Sequence, residues 1–310
     1  DIVIEMLRNA RDAGATRIYV ATFKEEGMRS LLFLDNGCGV PEDMRERIFD
    51  ARVTSKLESM KMDRWGVHGR GMALFSIRQN VDDVEVVASG KDLGSSFKVL
   101  VNTDVLNERA DQSSWPIASK DETGAYHCAR GPHNILRTVC DFSLEEMHGC
   151  DVFIGSPTEI AATLYSHARG ELDASRLLFL DNELTLPVTS RLGFAADAAE
   201  FMRIAETIGI DISERTAHRI LSGAIAPLRS ALSRLLRERD GNVPRSNEVD
   251  LVKDRRGLKI APDDLSRFSR DVERCFEDLA QRYYLNMVGD PKIRVMKDRI
   301  TVSFPIEKGE

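Results

Sequence analysis

A continuous apolar segment that ends in a carboxylate constrains the fold of this chain more than any other feature. Leu31-Leu32-Phe33-Leu34 runs directly into Asp35-Asn36-Gly37-Cys38-Gly39, and the apolar run predicts a buried strand. An Asp at the end of a strand can accept hydrogen bonds from a ligand, while the two glycines would let the backbone approach that ligand closely. Asp-Asn-Gly is also a hairpin signal, so both interpretations stay open at this point.

The segments around this strand predict an α/β layer unit. Helical and strand patterns alternate over residues 1–101, with Gly14 as a helix stop and Glu25-Glu26-Gly27 as a turn. The expected elements are a helix at 1–13, strands at 16–23 and 30–34, a short helix from Pro41 to about Phe49, a helix at 71–80, and strands at 83–88 and 96–101.

The first helix carries a polar stripe. Glu5, Asn9 and Asp12 are spaced i, i+4 and i+7, so at 100° per residue they lie within about 60° of one another on the helix surface. An apolar arc lies beside this stripe, and Arg8 and Arg11 are expected to point away from both. The stripe is either a solvated acidic surface or a carboxylate–amide face built for a ligand.

A glycine-rich segment precedes the next helix. Gly66-Val67-His68-Gly69-Arg70-Gly71 runs straight into an apolar helix that begins at Met72. Glycines at a helix N-terminus expose backbone N–H groups and the positive end of the helix dipole, which together attract anions. The segment lacks the preceding buried strand of a dinucleotide-binding fingerprint and the Gly-Lys-Ser/Thr of a P-loop.

Taken in this order, the three segments resemble the ATP-binding domain of the GHKL superfamily. That superfamily includes type II topoisomerase ATPase subunits, the large heat-shock chaperone, sensor histidine kinases and the mismatch-repair protein MutL. Glu5 to Thr16 resembles the N-box, Asp35 to Gly39 the adenine-binding box, and Gly66 to Gly71 the glycine-rich lid box. The resemblance has its core at 1–101 and reaches 155, with an irregular insertion at 103–150. It implies an α+β fold whose N-terminal domain is the Bergerat α/β sandwich.

The resemblance also implies a role for each of these residues. Glu5 would be the base that activates water, Asn9 would hold Mg²⁺, Asp12 would support the site, and Asp35 would accept the adenine amino group. The implied cofactors are ATP and Mg²⁺, and the expected activity is slow ATP hydrolysis that drives a conformational switch. The residues implied to bind them are Asn9, Asp12, Asp35, Gly37, Gly39, Lys56, Gly66, Gly69, Arg70, Gly71 and Ser95.

Two branches of the superfamily compete. Thr54-Ser55-Lys56 resembles MutL-type proteins, and in that alignment Gly149-Cys150-Asp151-Val152 lies near the adenine. Gly94-Ser95-Ser96-Phe97 instead resembles the end of a histidine-kinase catalytic domain, with Ser95 near the adenine. Glu5 favours hydrolysis, and no His lies in a recognisable phosphoacceptor box. A MutL-like, DNA-associated regulator or repair ATPase and a histidine- or anti-sigma-type kinase are the alternative functions.

The rest of the chain predicts helical and small α/β modules. A strand at 151–154 and a helix ending near Gly170 are followed by almost continuous helix from Ala195 to about Arg239. The expected domains are the ATP-binding domain at 1–155, a helical domain at 156–240, and a region at 241–310 with a linker at 240–260, an amphipathic helix at 262–285 and a hairpin of 292–297 with 300–306.

Two further patterns carry less weight. Residues 205–221 resemble a helix-turn-helix, with a Ser-capped second helix that carries Thr216, His218 and Arg219. A plain helical packing role is favoured over DNA binding for this segment. A zinc site among the His and Cys residues of 127–150 is set aside because no paired ligand spacing is present.

The distribution of charge limits the possible partners, and the cysteine content indicates the compartment. Residues 1–200 hold 22 basic and 32 acidic residues, and residues 201–310 hold 21 and 18, so a nucleic-acid partner would contact the second part. Five cysteines without CxxC spacing favour a reducing compartment, and a cytoplasmic protein is expected. The expected partners are ATP and a second copy or another protein, with DNA less favoured.

The ends of the chain and its apolar runs complete the expectations. The longest unbroken aliphatic or aromatic runs have about four residues, as at Leu31 to Leu34, whereas a membrane-spanning helix needs about 20. No membrane partner is therefore expected. The chain begins with Asp1, inside a helical pattern and without an initiator Met, which indicates that the numbering starts part-way into a longer chain.

Overall fold

The computed structural model contains two compact units, Asp1–Asp240 and Gly241–Glu310. In the first unit it describes residues 2–51, 61–63, 66–68, 73–109, 111–147, 149–172 and 182–237. In the second it describes residues 268, 269, 271–273, 276, 280, 285–287, 291–295 and 300–308.

Strands and helices alternate along the first unit. The strands are β1 (Arg17–Glu25), β2 (Met28–Asp35), β3 (Lys61–Asp63), β4 (Gly66–His68), β5 (Asp83–Ser89), β6 (Ser95–Asn102), β7 (Ile117–Lys120), β8 (Tyr126–Arg130) and β9 (Asp151–Gly155). The α-helices are α1 (Ile2–Asp12), α2 (Ala73–Asn80), α3 (Ile135–Glu145), α4 (Pro157–Glu171), α5 (Ala198–Thr207), α6 (Glu214–Leu221) and α7 (Ala231–Arg237). Among the described residues, no helix has both the length and the apolar content that crossing a bilayer demands.

A five-stranded sheet forms the centre of this unit, in the order β5-β6-β2-β1-β9. Strands β1 and β9 are parallel, and the other neighbours are antiparallel. Because β2 lies in the middle, its residues from Ser30 to Asp35 are all buried, which confirms the buried strand predicted from the apolar run. The strands predicted at 16–23, 83–88, 96–101 and 151–154 are all present, each within two residues of the predicted bounds.

Helices α1, α2 and α3 pack on one face of the sheet. Val20, Phe33 and Val99 point from neighbouring strands into one buried cluster, where they meet Leu7 of α1 and Phe142 of α3. The apolar arc of α1 faces this cluster, since Val3, Ile4, Met6, Leu7 and Ala10 are all buried. The sheet and these helices form the α/β sandwich expected for the N-terminal domain. The chain belongs to the α+β class.

A second helical layer covers the opposite face. Tyr19, Leu34 and Phe153 point from the other side of the strands into a cluster with Ile160 of α4 and Phe201 of α5. A 3₁₀ segment, Val188–Phe194, also belongs to this layer. Helices α4 to α6 were expected in a helical region at 156–240, and they lie directly on the sheet, within the first unit.

Residues 103–150 differ from the irregular insertion that the sequence predicts. They contain the hairpin β7–β8 and the helix α3. Asn134 caps α3 by accepting a hydrogen bond from the N–H of Arg137 at 2.9 Å. Val139 and Phe142 bury the apolar side of the helix against the sheet. The polar character of the surrounding residues masked this short amphipathic pattern.

The segment after Pro41 also differs from its prediction. A single short helix was expected through Phe49, and the structure has two 3₁₀ turns, Glu42–Met44 and Arg47–Phe49. The first turn buries no residue and the second buries only Phe49. Without an apolar side to pack, the segment gains little from forming a continuous α-helix.

The described residues of the second unit include two short antiparallel pairings. Strand β10 (Leu285–Met287) pairs with β13 (Ile306–Lys308), and β11 (Lys292–Val295) pairs with β12 (Ile300–Ser303). The β11–β12 pair confirms the predicted hairpin. Residues 268, 269, 271–273, 276 and 280 of the amphipathic helix predicted at 262–285 are helical. The rest of that segment before β10, and the linker predicted at 240–260, lie outside the described residues.

Candidate functional site

Asp35 lies at the end of β2, buried beneath the turn that follows. Its Oδ1 accepts a hydrogen bond from the N–H of Gly37 at 2.8 Å. Ser95, the first residue of β6, is paired opposite Asp35 across the sheet, and its side chain helps to lower the pKa of that carboxyl. The two residues are only 4% and 3% exposed. A closed polar pair therefore stands where the sequence predicts the ligand-binding carboxylate.

Burial controls the chemistry of this carboxylate. Loss of solvent raises the pKa of Asp35 to about 6, and the hydrogen bonds from Gly37 and Ser95 limit the rise. An ionised carboxylate has about four lone-pair positions, so acceptor capacity is left after these two bonds. A ligand donor placed against Asp35 would stabilise its charged form.

Three glycines allow the backbone to close around Asp35. A Cβ on Gly37 would lie 2.8 Å from the carbonyl oxygen of Ala13 and 2.9 Å from Asp35 Oδ1. Gly39 and Gly94 have φ values of +68° and +74°, and a Cβ on either would lie 2.0 Å or 2.2 Å from a backbone oxygen. No side chain fits at these positions. The close approach brings together the ends of α1, β2 and β6.

Asn36 joins the end of α1 to the end of β2. Its Oδ1 accepts hydrogen bonds from the N–H groups of Thr16 and Arg17, each at 2.9 Å, and its Nδ2 donates to Thr16 Oγ1 at 2.9 Å. The N–H of Cys38 adds a bond to the carbonyl of Ala13 at 2.9 Å. The sequence does not predict this role of Asn36, because an asparagine at this position is already expected from the Asp-Asn-Gly turn signal. The result is that α1 is held beside the buried carboxylate.

The polar stripe of α1 leads away from that carboxylate. The side chains of Glu5 and Asp12 are 26% and 23% exposed. The Nδ2 of Asn9, between them, is buried and has no hydrogen-bond partner in the described part of the chain. Glu5 and Asp12 are seven positions apart along the helix, which is a rise of about 10 Å. This layout suits an elongated ligand with its donor end at Asp35.

The two arginines of α1 do not point away from the stripe, so that prediction is wrong. Arg8 is only 5% exposed, and its Nη1 donates to Glu5 Oε1 at 2.5 Å. Arg11 donates to Asp12 Oδ1 at 3.1 Å and to Glu146 Oε1 at 3.0 Å. Glu146 caps the C-terminus of α3, a helix that the sequence prediction lacked. The neighbouring helix covers the side of α1 that was expected to be exposed.

The amide of Asn9 is the observation that bears on Mg²⁺. Mg²⁺ prefers oxygen ligands and usually keeps several waters beside phosphate oxygens. An Asn carbonyl oxygen is such a ligand, and the unpaired Nδ2 would then have a phosphate oxygen or a water as its acceptor. The carboxylates of Glu5 and Asp12 on the same stripe add negative charge. These residues therefore fit the ion.

The competing alignments place either Ser95 or the segment from Gly149 to Val152 near the adenine. Ser95 is paired opposite Asp35 across the sheet. Cys150 is buried, and burial raises the pKa of its thiol to about 12, with the charges of Glu146, Asp151 and Asp35 adding to the rise. The thiol therefore stays protonated at neutral pH. The geometry is compatible with either alignment.

Most of the predicted phosphate-binding segment lies outside the described residues. Lys56, Gly69, Arg70 and Gly71 belong to that group. Gly66 is described and begins β4, which pairs with β3 in a two-stranded sheet. The roles of these five residues in holding phosphates stay predictions.

Ser89 and Arg45 form a polar support behind the Asp35–Ser95 pair. The hydroxyl of Ser89 donates to the carbonyl of Gly94 at 2.9 Å and accepts from the N–H of Val40 at 2.7 Å. Arg45 Nη2 donates to the carbonyl of Ser89 at 2.5 Å. Sequence patterns did not identify either residue, because their proximity depends on the pairing of β5 with β6. These bonds hold the loop of residues 90–94 in place.

The helix-turn-helix-like segment consists of α5 and α6 joined by residues 208–213. Helix α6 buries Ala217 and Ile220 in the second core and exposes Arg215, His218 and Arg219. One side of α6 is therefore structural, and the other is a short basic surface.

The His and Cys residues of 127–150 do not form a metal cluster in the described part of the chain. Cys128 and Cys140 are buried in a small apolar cluster with Leu144 and Leu235. Their thiols pack as core groups between the β7–β8 hairpin and helices α3 and α7.

Comparison with known proteins adds a family to this geometry. Residues 1–124 match the family model described as histidine kinase-, DNA gyrase B- and HSP90-like ATPase. The match includes α1, the Asp35 turn and Ser95, so it spans both parts of the candidate site.

The curated relatives include DNA mismatch repair proteins. The DNA mismatch repair protein MutL of Thermodesulfovibrio yellowstonii is 25% identical over 226 residues, which cover 71% of this chain and 37% of that protein. MutL of Chlorobium phaeobacteroides is 35% identical over 117 residues, covering 37% of this chain and 18% of that protein. The chain spans well under half the length of the curated relatives it matches. A solved catalytic domain of the histidine kinase ThkA has 18% identity and a TM-score of 0.25, covering 33% of this chain and 63% of that one.

Proposed function

We propose that this chain, whose residues 1–124 match the family model of histidine kinase-, DNA gyrase B- and HSP90-like ATPases, binds ATP with Mg²⁺ and hydrolyses it slowly. The observation that carries the proposal is the buried Asp35–Ser95 pair held against the end of α1 by Gly37 and Asn36. It offers a desolvated acceptor at one end of the site. The stripe of α1 offers an amide and carboxylates along the other.

In this proposal Asp35 selects the base. Its free lone pair accepts a hydrogen from the exocyclic amino group of adenine, a donor that guanine lacks at the same position. Burial makes this discrimination strong, because a wrong base would leave a desolvated carboxylate without its partner. Ser95 and Gly37 keep the carboxylate in one orientation.

The phosphate chain lies along α1 in the proposal. Asn9 presents its amide to Mg²⁺ or to a phosphate oxygen, and the bound ion would neutralise phosphate charge. Glu5 takes the proton of the attacking water as a general base. Lys56, Arg70 and the glycines at 66, 69 and 71 are predicted to close over the phosphates.

The switch that hydrolysis would drive has a physical route through the sheet. The carbonyl of Leu93, in the loop before Ser95, accepts the N–H of Val188 in the second helical layer at 2.7 Å. Ser96 donates to the carbonyl of Ile208, between α5 and α6, at 2.7 Å. A shift of β6 on nucleotide binding would therefore be transmitted to the segments that contain Val188 and Ile208. The receiver of that shift would be a second copy of the chain or another protein.

Replacing the base tests the hydrolysis step. In Glu5→Ala, phosphate release should fall by about 10²-fold or more, while binding of a non-hydrolysable ATP analogue should persist. Glu206→Ala removes an exposed glutamate from α5, on the other face of the sheet, and serves as the matched control. Full phosphate release by Glu5→Ala would contradict the base assignment. Transfer of labelled phosphate to a protein, instead of release to water, would favour a kinase.

The exposed basic side of α6 supports a second candidate, a DNA-associated ATPase. Arg215, His218 and Arg219 lie together on that side, and phosphate contacts by such residues make binding salt-dependent. Duplex DNA binding that weakens with salt and is lost in Arg215→Ala/Arg219→Ala would support it. Arg47→Ala, another exposed arginine, is the control. Binding that is unchanged in the double variant would rule out α6 as the contact.

Two of the described cysteines, Cys38 and Cys150, carry free thiols. Free thiols are typical of proteins in reducing compartments. This supports the proposal that the protein acts in the cytoplasm.

A further inference from the structure

The proposed base, Glu5, has an ion-pair partner that the proposed hydrolysis does not use. Arg8 lies one turn further along α1, and its Nη1 donates to Glu5 Oε1 at 2.5 Å. The side chain of Arg8 is 6% exposed, whereas that of Glu5 is 26% exposed. The pair therefore joins a buried cation to a carboxylate that solvent can reach.

The two oxygens of Glu5 differ in their surroundings. Oε1 is engaged by Arg8, and no other hydrogen bond to the Glu5 carboxylate is present among the residues that the structure describes. Oε2 is therefore available to a water molecule. A charge-assisted bond to a buried, closely packed guanidinium restricts the rotation of the carboxylate about its side-chain bonds.

We propose that Arg8 is a positioning residue that clamps one oxygen of Glu5 so that the other faces the attacking water. This inference rests on the proposed ATP hydrolysis. In that reaction the water oxygen bonds to the γ-phosphorus, and the bond from that phosphorus to the β–γ bridging oxygen breaks, with its electron pair leaving on ADP. The water proton goes to Glu5 Oε2. Arg8 stays bonded to Oε1 throughout and touches neither water nor nucleotide.

The geometry explains why a clamp is needed at this position. An unrestrained glutamate on a helix samples several rotamers, and in most of them neither oxygen would meet the water. A misplacement of about 1 Å can cost about 10²-fold in rate. The bond from Arg8 restricts that freedom, while the side chain of Glu5 stays 26% exposed.

The test compares three replacements of Arg8 in the full chain. Arg8→Met removes the clamp, Arg8→Gln keeps a neutral donor, and Arg8→Lys keeps the charge. Phosphate release gives kcat and KM, equilibrium titration gives the affinity for a non-hydrolysable ATP analogue, and circular dichroism checks folding. Arg203→Met, which breaks the ion pair between Arg203 of α5 and Glu183, is the matched control.

The expected result is a split between rate and binding. In Arg8→Met and Arg8→Gln, kcat should fall by about 10- to 100-fold while analogue affinity is unchanged, and Arg8→Lys should recover much of the rate. Arg203→Met should keep the unaltered kcat. The inference is overturned if a folded Arg8→Met or Arg8→Gln keeps the full kcat, or if kcat and analogue affinity fall together. If the unaltered protein binds the analogue but does not hydrolyse ATP, the hydrolysis proposal fails and the inference fails with it. If the unaltered protein hydrolyses ATP and a folded Arg8→Met keeps the full kcat, only the inference fails.

Discussion

At the scale of single residues, the tightest constraint is the space at Gly37. We expect Gly37→Ala to destabilise the protein by about 1–3 kcal/mol, because the new methyl group would press on Ala13 and on Asp35 Oδ1, both within 3.0 Å of an ideal Cβ. It should also weaken nucleotide binding, since relief of the clash moves Asp35. Urea unfolding and analogue titration measure the two effects.

Gly170→Ala is the matched control for this substitution. Gly170 lies in α4 and has no atom within 4 Å of an ideal Cβ. An alanine there should stabilise the helix by as much as about 1 kcal/mol and leave nucleotide binding unchanged. Equal effects of the two substitutions would show that the packing at Gly37 does not matter.

Asp35 predicts a particular dependence of stability on pH. Its pKa is about 6 in the folded protein, against 3.8 for an ordinary Asp side chain, so between these pH values the folded state binds the proton more tightly. The contribution of Asp35 to the free energy of unfolding therefore falls as the pH rises from about 4 to about 6, and is constant above that. The total decrease in this contribution is on the order of 2–3 kcal/mol.

Asp35→Asn isolates this effect because an amide does not ionise. We therefore subtract the free energy of unfolding of the unaltered protein from that of the variant. This difference should rise by about 2–3 kcal/mol between pH 4 and pH 6. Urea unfolding at several pH values, without nucleotide, measures it. A difference that is constant with pH, or that falls over this range, would contradict the raised pKa.

At the scale of secondary-structure elements, the sequence predicts the strands well and the helical surroundings less well. The strand that ends at Asp35 is recognisable because its apolar run and its glycines are local signals. Helix α3 was missed because its pattern is short and lies among polar residues, although Asn134 followed by Ile135, Val139 and Phe142 is a capped amphipathic pattern.

The residues of the candidate site were also predictable only where a local sequence pattern marks them. Asp35, Gly37 and Gly39 follow from a local motif, and Glu5, Asn9 and Asp12 follow from helical spacing. The partners of these residues depend on pairing between distant segments. Ser89 behind Ser95 requires the β5–β6 register, and Arg11 with Glu146 requires α3. Sequence patterns within one element contain no information about such contacts.

The bond between β6 and the α5–α6 connection supports an element-scale prediction. Ser96 is fully buried and donates to the carbonyl of Ile208. Ser96→Ala should leave that carbonyl without this donor, at a cost of about 1–3 kcal/mol. Amide hydrogen exchange in residues 205–213 should become faster, whereas exchange in β1 should change little. Mass spectrometry of peptic fragments measures both.

Ser222→Ala provides the comparison. Ser222 makes the same kind of bond, to the carbonyl of Arg219 at 3.2 Å, but at an exposed position. Its loss should change stability by less than about 0.5 kcal/mol. If Ser96→Ala and Ser222→Ala have equal effects, the link between the sheet and the second helical layer is energetically unimportant.

At the scale of the whole molecule, the first unit is a sheet between two helical layers. One layer contains α1 and the polar stripe, and the other contains α4 to α6. Asp35 and Ser95 stand at the strand ends between them, with Ser96 turned toward the second layer. In this arrangement the proposed nucleotide site would be linked to a surface on the far side of the sheet.

The most direct test of the central proposal is an equilibrium titration of the unaltered chain with non-hydrolysable analogues of ATP and GTP in the presence of Mg²⁺. The ATP analogue should bind saturably and more tightly than the GTP analogue, and Asp35→Asn should reduce its affinity by about tenfold or more, because a charged acceptor is lost. Absence of saturable binding, or equal binding of both analogues that Asp35→Asn leaves unchanged, would contradict an adenine site at Asp35.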